Sequence, residues 1–214
     1  GKCFRATPFK DGVDLFLTVE QVIPLPEAEE LMIGISEKET EELSSERGQA
    51  TRHQLRTDFW HATLEALTKA NIELYSNVSP SRDHWLNAGS GMGGVHYSMI
   101  FNRDEARVDF ALSTRSKEAN KALFDYLYAR REYVEAAFGS ELIWRRMDDK
   151  KVSLIECAAS FEGHNRETWP AMIDWLVAHV RKMEKPFEKE VPALRTVARP
   201  LFSKDVAAEE GVST

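Results

Sequence analysis

The fold is decided by residues 84–112, which read HWLNAGSGMGGVHYSMIFNRDEARVDFAL. Two runs in this stretch, Val95–Phe101 and Ala106–Leu112, have the composition of β-strands, and Asn102–Glu105 lies between them as a turn. Apolar and polar residues alternate along the second run, so one face of that strand is apolar and the other is partly charged. Because a short turn joins the two runs, we predict that they pair as antiparallel strands.

Helices and further strands are predicted on both sides of these two strands. In chain order, the predicted elements are a helix over His53–Asn71, strands over Trp85–Ala88, Val95–Phe101 and Ala106–Leu112, a helix between the cap Ser116 and the stop Gly139, a hairpin of Glu141–Arg146 and Val152–Ala158, and a helix that starts near Trp169 with Thr168 as its cap. This order, αβββαββα after an N-terminal β-hairpin, indicates the α+β class, in which helices pack on a mixed or antiparallel sheet.

Four segments are predicted along the chain. Residues 1–26 form a β-hairpin around an Asp-Gly turn signal, and one hypothesis is that this hairpin ends an upstream domain. Residues 27–50 are rich in Glu, Ser and Lys and are predicted to be an acidic linker. Residues 51–190 form the main α+β domain, and residues 191–214, which contain prolines and show no helical period, are expected to be a C-terminal tail.

The net charge of −7 is concentrated near the amino terminus. Residues 1–49 hold five Lys and Arg against eleven Asp and Glu, whereas residues 50–190 hold twenty against twenty-one. A nearly neutral main body gives no general support for nucleic-acid binding. The two cysteines are far apart in the sequence, and no apolar run reaches the roughly 18 residues of a membrane span, so we expect a cytoplasmic protein with no membrane partner.

Several motifs are spread over the main body. They are Phe59-Trp60 in the first helix, Trp85 before the glycine cluster, Arg107-Val108-Asp109 in the second β run, Asn120-Lys121 with Leu123-Phe124 in the middle helix, Glu135 with Phe138-Gly139, Leu142-Ile143-Trp144, and Trp169 with Trp175 in the last helix. In these residues the chain resembles the DUF4268 family, a bacterial and archaeal domain of unknown function, over roughly residues 52–190. The resemblance implies a place beside a restriction-nuclease-like domain in one polypeptide, and through it a link to DNA processing or phage defence. It supplies no catalytic residues.

The glycine cluster Gly89–Gly94 formally satisfies the pattern GxGxxG. A dinucleotide site would need a helix after the glycines, because the helix N-terminus holds the pyrophosphate. A predicted strand follows instead, so the cluster is interpreted as a flexible turn or bulge. The six histidines are scattered, form no metal-ligand motif, and are expected to be surface or hydrogen-bonded side chains.

A restriction-type nuclease needs an acid on one strand and a Glu/Asp-x-Lys motif on the next, to hold a divalent metal. The available acids are Asp83, Glu105, Asp109 and Glu156. The stretch that begins at Asp109 lacks the lysine, and no other strand supplies the motif. One hypothesis is therefore a non-catalytic relative of the restriction-nuclease core, and no metal or other cofactor is expected.

Basic residues with nearby aromatic side chains are the candidate nucleic-acid contacts, because such groups can meet phosphates and stack on bases. The candidates are Arg107, Arg115, Lys117, Lys121, Arg130, Arg131, Arg145 and Arg146. Acidic residues are interleaved with them, so a salt-bridged surface is the alternative.

Three hypotheses about function follow. The first is a non-catalytic accessory module of a nuclease-type protein, which assists nucleic-acid binding or binds an upstream nuclease-like domain of the same polypeptide. The second is an oligomerisation or scaffold module, which forms a homo-oligomer. The third is a metal-dependent nuclease with an atypical site. One contiguous basic face would favour nucleic acid, whereas a large apolar patch would favour assembly.

Overall fold

The computed structural model describes residues 3–11, 14–23 and 46–210 of the chain. Its strands form a two-stranded hairpin, β1-β2, and a five-stranded sheet in the order β3-β4-β5-β7-β6. The strands are β1 Cys3–Asp11, β2 Asp14–Ile23, β3 Trp85–Met92, β4 Val95–Phe101, β5 Glu105–Leu112, β6 Ile143–Arg145 and β7 Ser153–Ser160. All the neighbouring strands described pair antiparallel. The predicted α+β class is thus confirmed, and the sheet is antiparallel rather than mixed.

Four α-helices accompany these strands in the described part of the chain. They are α1 Glu46–Lys69, α2 Lys117–Tyr128, α3 Arg131–Phe138 and α4 Trp169–Glu210. Short 3-10 helices lie at Glu73–Tyr75 and Arg166–Thr168. Among the described residues, no helix combines the length and the apolar composition of a membrane span.

The helices pack on one face of the five-stranded sheet. Tyr97 and Phe110 are paired across β4 and β5, so they share a face, and their ring centroids are 5.0 Å apart. Phe187 of α4 stacks on Phe110 at 4.2 Å, and Phe59 of α1 stacks on Phe101 at 3.9 Å. Burying each such ring stabilises the fold by about 1.5–3 kcal/mol, so this face carries the main hydrophobic core.

The hairpin between β3 and β4 contains the glycine cluster. The predicted short strand is longer than expected and continues to Met92, with a bulge between Gly89 and Met92. Gly91 and Gly94 have φ values of +88° and +75°, which favour glycine. A Cβ atom on Gly94 would lie 2.5 Å from the Cα atom of Thr114, so the backbones approach closely there. The predicted turn or bulge is confirmed.

The middle helical segment differs from its prediction. One helix was predicted between Ser116 and Gly139, but α2 and α3 are separate because Arg130 has φ −114° and ψ 16°, outside the helical region. The order is therefore αβββααββα. Both predicted ends are confirmed, since Ser116 Oγ accepts the Ala119 N–H at 3.3 Å and Gly139 ends α3 with φ +95°.

The last helix begins at Trp169 as predicted, but its cap is different. The Oγ1 atom of Thr168 donates to the carbonyl oxygens of Glu162 and Asn165, each at 2.8 Å, instead of accepting an N–H group of the helix. A 3-10 turn precedes the helix and leads directly into it. The predicted Thr168 cap was therefore wrong.

Two helices extend into segments that were predicted to lack regular structure. Helix α4 continues to Glu210 through most of the expected tail, with prolines at positions 186, 192 and 200. Its apolar residues Val191, Leu194 and Ala198 are buried, and this packing stabilises the helix despite the prolines. Helix α1 starts at Glu46, inside the predicted acidic linker. Residues 27–45 of that linker lie outside the described residues.

Candidate functional site

A row of polar residues crosses the sheet on the face opposite the helices. The register pairs Asn87 of β3 with Ser98 of β4, Ser98 with Asp109 of β5, and Asp109 with Glu156 of β7. Residues that face each other in antiparallel strands point to the same side, with Cβ atoms about 4.5–5.5 Å apart. All four side chains are buried. We name this side of the sheet, with its row of Asn87, Ser98, Asp109 and Glu156, the helix-free face.

Two arginines neutralise the acids of this face. Arg107, two residues before Asp109 on β5, donates from Nε to Asp109 Oδ1 at 3.0 Å and to Oδ2 at 3.2 Å. Its Nη1 donates to Oε1 of Glu105 at 3.2 Å. Arg145 of β6 donates from Nε to Oε2 of Glu156 at 2.6 Å. The charges of three carboxylates are thus balanced in part by two guanidinium groups.

Asp109 has a strongly altered protonation equilibrium. Burial raises the pKa of the Asp109 carboxyl to about 7; the charge of Arg107 opposes this rise, and the charge of Glu156 adds to it. The Nη2 atom of Arg107 is also buried and has no hydrogen-bond partner. Burial beside a second carboxylate thus favours the protonated form of Asp109 near neutral pH.

The acids that a metal-dependent nuclease would use are arranged around arginine. Glu105, Asp109 and Glu156 share the helix-free face, and Arg107 bridges the first two. Asp83 lies apart from them in the loop before β3, where its carbonyl oxygen accepts the Trp60 Nε1–H at 2.7 Å. Among the described residues, no group of three or more His, Cys, Asp or Glu side chains could hold a metal ion.

A cleft of about 490 Å³ opens beside β3, at one end of the polar row. It is lined by Asn77, Val78, Ser79, Pro80, Ser81, Asn87, Ala88, Gly89, Met92, Val95 and His96. His96 is buried, and its Nδ1 lies 3.4 Å from Ser113 Oγ. Burial lowers the pKa of the His96 imidazole from its ordinary value of 6.5 to about 4. The imidazole is therefore neutral at pH 7.

Several buried polar atoms beside this cleft have no hydrogen-bond partner. They are Nδ2 and Oδ1 of Asn87, Nε2 of His96 and Oγ of Ser98. His96 is hydrogen-bonded through Nδ1, as expected, but its Nε2 has no partner, and sequence analysis missed Asn87 and Ser98 altogether. Only the strand register shows that these residues are neighbours. An unsatisfied buried group costs about 1–3 kcal/mol, which makes this cluster unusual.

Comparison with known families identifies the domain around this site. The family model described as a domain of unknown function, DUF4268, matches residues 55–191. The chain belongs to the DUF4268 family. No curated protein and no solved structure matches the chain. The DUF4268 match contains the polar row and the cleft, and it excludes the hairpin β1-β2.

Most of the predicted basic residues of the DUF4268 domain have contacts within the chain. Besides the pairs of Arg107 and Arg145, Arg131 donates to Glu135 at 3.0 Å, and Arg146 donates to Asp125 at 2.8 Å. Arg130 lies over the ring of Tyr126, with 3.8 Å from its Cζ atom to the ring centroid. Arg115 and Lys117 are exposed, and Arg115 also has an interaction within the chain.

Lys121 is buried in the DUF4268 domain and serves as an internal donor. Its Nζ donates to the carbonyl oxygens of Arg146 and Val152 at 2.6 Å each, and to Ser153 Oγ at 2.9 Å. Ser153 is paired with Leu112 on the face that the helices cover. Lys121 therefore lies on the opposite side of the sheet from Arg107, and the structure does not bring these two residues together.

Proposed function

We propose that the chain is a non-catalytic accessory module of a nuclease-type protein, which acts in the cytoplasm by docking an upstream part of its own polypeptide on the helix-free face. The observation that carries this proposal is that the central part of the helix-free face is buried although the described helices pack on the other side. Trp85 is only 6% exposed and Ile100 is fully buried, and the two are paired across β3 and β4. Farther along the sheet, the paired residues Ala111 and Leu154 are buried as well.

The amino-terminal part of the chain is the occupant that the observations favour. In a single chain, burial of a sheet face requires cover from elsewhere in the same chain. The hairpin β1-β2 lies outside the family match, and an isolated two-stranded hairpin is marginally stable until it packs on something.

Docking of a protein segment has more support than nucleic-acid binding. A phosphate contact by Arg131, Arg145 or Arg146 would compete with a carboxylate that already binds each guanidinium. Lys121 would have to leave its buried acceptors. The non-catalytic part of the proposal is supported by two ion pairs. Arg107 binds Asp109 and Arg145 binds Glu156, so arginines already bind acids that a nuclease would need as metal ligands. The link to a nuclease rests on the family resemblance alone.

The fluorescence of Trp85 tests the docking proposal. The full chain is compared with a chain that begins at residue 46, and each is also made with Trp85→Phe, so that difference spectra isolate Trp85. If the amino-terminal segment covers the helix-free face, its removal exposes Trp85 and shifts the difference emission to longer wavelength. Adding a peptide of residues 1–45 should reverse the shift.

Circular dichroism of the shortened chain establishes that the domain still folds. An unchanged Trp85 spectrum in a folded shortened chain would exclude the amino-terminal segment as the cover. A red shift combined with a new dimer in sedimentation would show that the uncovered face also supports self-association.

A further inference from the structure

We propose that the cleft beside β3 binds the base of a free nucleoside, with the Asn87 amide and His96 Nε2 as its hydrogen-bond partners. This inference does not depend on the docking proposal, because it rests on the cleft and its unpartnered polar atoms. The ligand class follows from three features of the cleft, namely its polar groups, its charge and its walls.

The polar groups require a ligand that offers donors and acceptors together. Asn87 is buried and lines the cleft, yet both its amide nitrogen and its amide oxygen lack partners. His96, which also lines the cleft, has an unpartnered Nε2. A side-chain amide forms a two-bond pair with the N6 and N7 edge of adenine. Such a pair would satisfy Asn87 on both sides, so adenine is the base we assign.

The charge of the cleft indicates that the buried part of the ligand is neutral. None of the lining residues in the described part of the chain is an Asp, Glu, Lys or Arg. His96 is neutral at pH 7 as well, since burial disfavours its charged form. A phosphate or a carboxylate in this place would be a buried charge without a partner, which is costly. A base fits this environment, whereas a charged group fits only outside the cleft.

The walls of the cleft suit a flat ring. Val78 and Pro80 line it from the loop before β3, and Met92 and Val95 line it from the β3-β4 hairpin. Trp60 of α1 anchors the loop by donating from Nε1 to the Asp83 carbonyl oxygen at 2.7 Å. The volume of about 490 Å³ lies within the range of roughly 300–1,000 Å³ that is usual for small-molecule sites.

Gly89 marks the open space of the cleft and offers a variant that can close it. A Cβ atom at this position would meet no atom within 4 Å, and the residue has no positive φ. A larger side chain there would therefore fill the cleft without strain in the backbone. Gly93 has the same freedom from contacts but does not line the cleft, so it provides a matched control.

Isothermal titration of the full chain with adenosine tests the inference. We expect binding with a Kd below about 1 mM, and weakening by at least about tenfold in both Gly89→Leu and Asn87→Ala. Gly93→Leu should bind as the unchanged chain does. Thermal melts identify any variant that fails to fold, and Asn87→Ala keeps the test decisive if Gly89→Leu is unstable.

Three results would overturn the inference. They are the absence of adenosine binding at about 5 mM, affinity that is unchanged in Gly89→Leu and Asn87→Ala, and binding of N-acetylglutamine amide without binding of any nucleoside. The last result would assign the cleft to a peptide amide instead. Weaker binding of uridine and cytidine than of adenosine supports the assignment to adenine, and equal binding of all three contradicts it.

Discussion

The Nε atom of Arg107 lies 3.0 Å from Oδ1 of Asp109, and both side chains are almost completely removed from solvent on the helix-free face. Such a pair is costly to break because the remaining charge stays buried. We expect Arg107→Ala to lower the free energy of unfolding by about 3–5 kcal/mol at pH 8, as measured by urea denaturation. The loss should be smaller at pH 5, where Asp109 can take up a proton. The double variant Arg107→Ala with Asp109→Asn removes the buried charge and should therefore recover part of the lost stability. If the double variant is as unstable as Arg107→Ala alone, the explanation is refuted.

Asp109 should make the protein less stable as the pH rises from about 4 to about 7. Burial raises the pKa of this carboxyl from its ordinary value of 3.8 to about 7 in the folded chain. Between these values the folded state binds more protons than the unfolded state, so raising the pH favours unfolding. Asp109→Asn carries no titrating group and removes this contribution. The free energy of unfolding is measured by urea denaturation at pH 4, 5.5 and 7 for the unchanged chain and for Asp109→Asn. Relative to the variant, the unchanged chain should become less stable at each step. A constant difference would mean that Asp109 titrates normally.

His96 contributes a pH dependence of the opposite sign. Its pKa is lowered from 6.5 to about 4 by burial, so the unfolded state binds more protons between these values. The contribution of His96 to stability is therefore present above pH 6.5 and is lost as the pH falls towards 4, by at most about 1.4 kcal/mol per pH unit. His96→Gln should remove this loss, as shown by the same urea series. If the free energy of unfolding changes with pH equally in the unchanged chain and in His96→Gln, His96 is an ordinary, accessible histidine.

Local signals in the sequence were sufficient for much of the fold. The strand Val95–Phe101 is found where the composition predicted it, because alternation and turn residues act over a few positions. The Ser116 cap and the Gly139 stop were also predicted correctly, since each depends on the chemistry of one residue. Arg130 carries no such signal, and the break between α2 and α3 was therefore missed.

The candidate site could not be predicted because it depends on strand register. Asn87, Ser98, Asp109 and Glu156 lie on four different strands, and no spacing in the sequence shows that they form one row. Trp144 is only partly buried, which its sequence neighbours also do not show. This residue belongs to β6, which proves to be a three-residue edge strand, so one side of its surroundings is open.

Lys121→Met should destabilise the domain, although lysine is usually a surface residue. The substitution keeps an unbranched chain but leaves the Val152 carbonyl oxygen without its donor. We expect a loss of about 1–3 kcal/mol in the free energy of unfolding, measured by urea denaturation. Lys117 is exposed one turn earlier on α2, and Lys117→Met should change the stability by less than about 0.5 kcal/mol. Equal effects of the two substitutions would show that Lys121 is free to reach a ligand.

Binding of the full chain to short DNA should be undetectable by fluorescence anisotropy at roughly 50 mM salt. Arg131, Arg145 and Arg146 are each bound to a carboxylate, so a phosphate contact would require breaking an ion pair. The chain that begins at residue 46 lacks most of the acidic amino-terminal residues and serves as the matched control, because their negative charge alone could prevent binding. Binding by either chain that weakens steeply with salt would contradict the docking proposal. The variant Arg145→Ala with Arg146→Ala would then locate the surface, since each lost phosphate contact lowers the salt slope by about one.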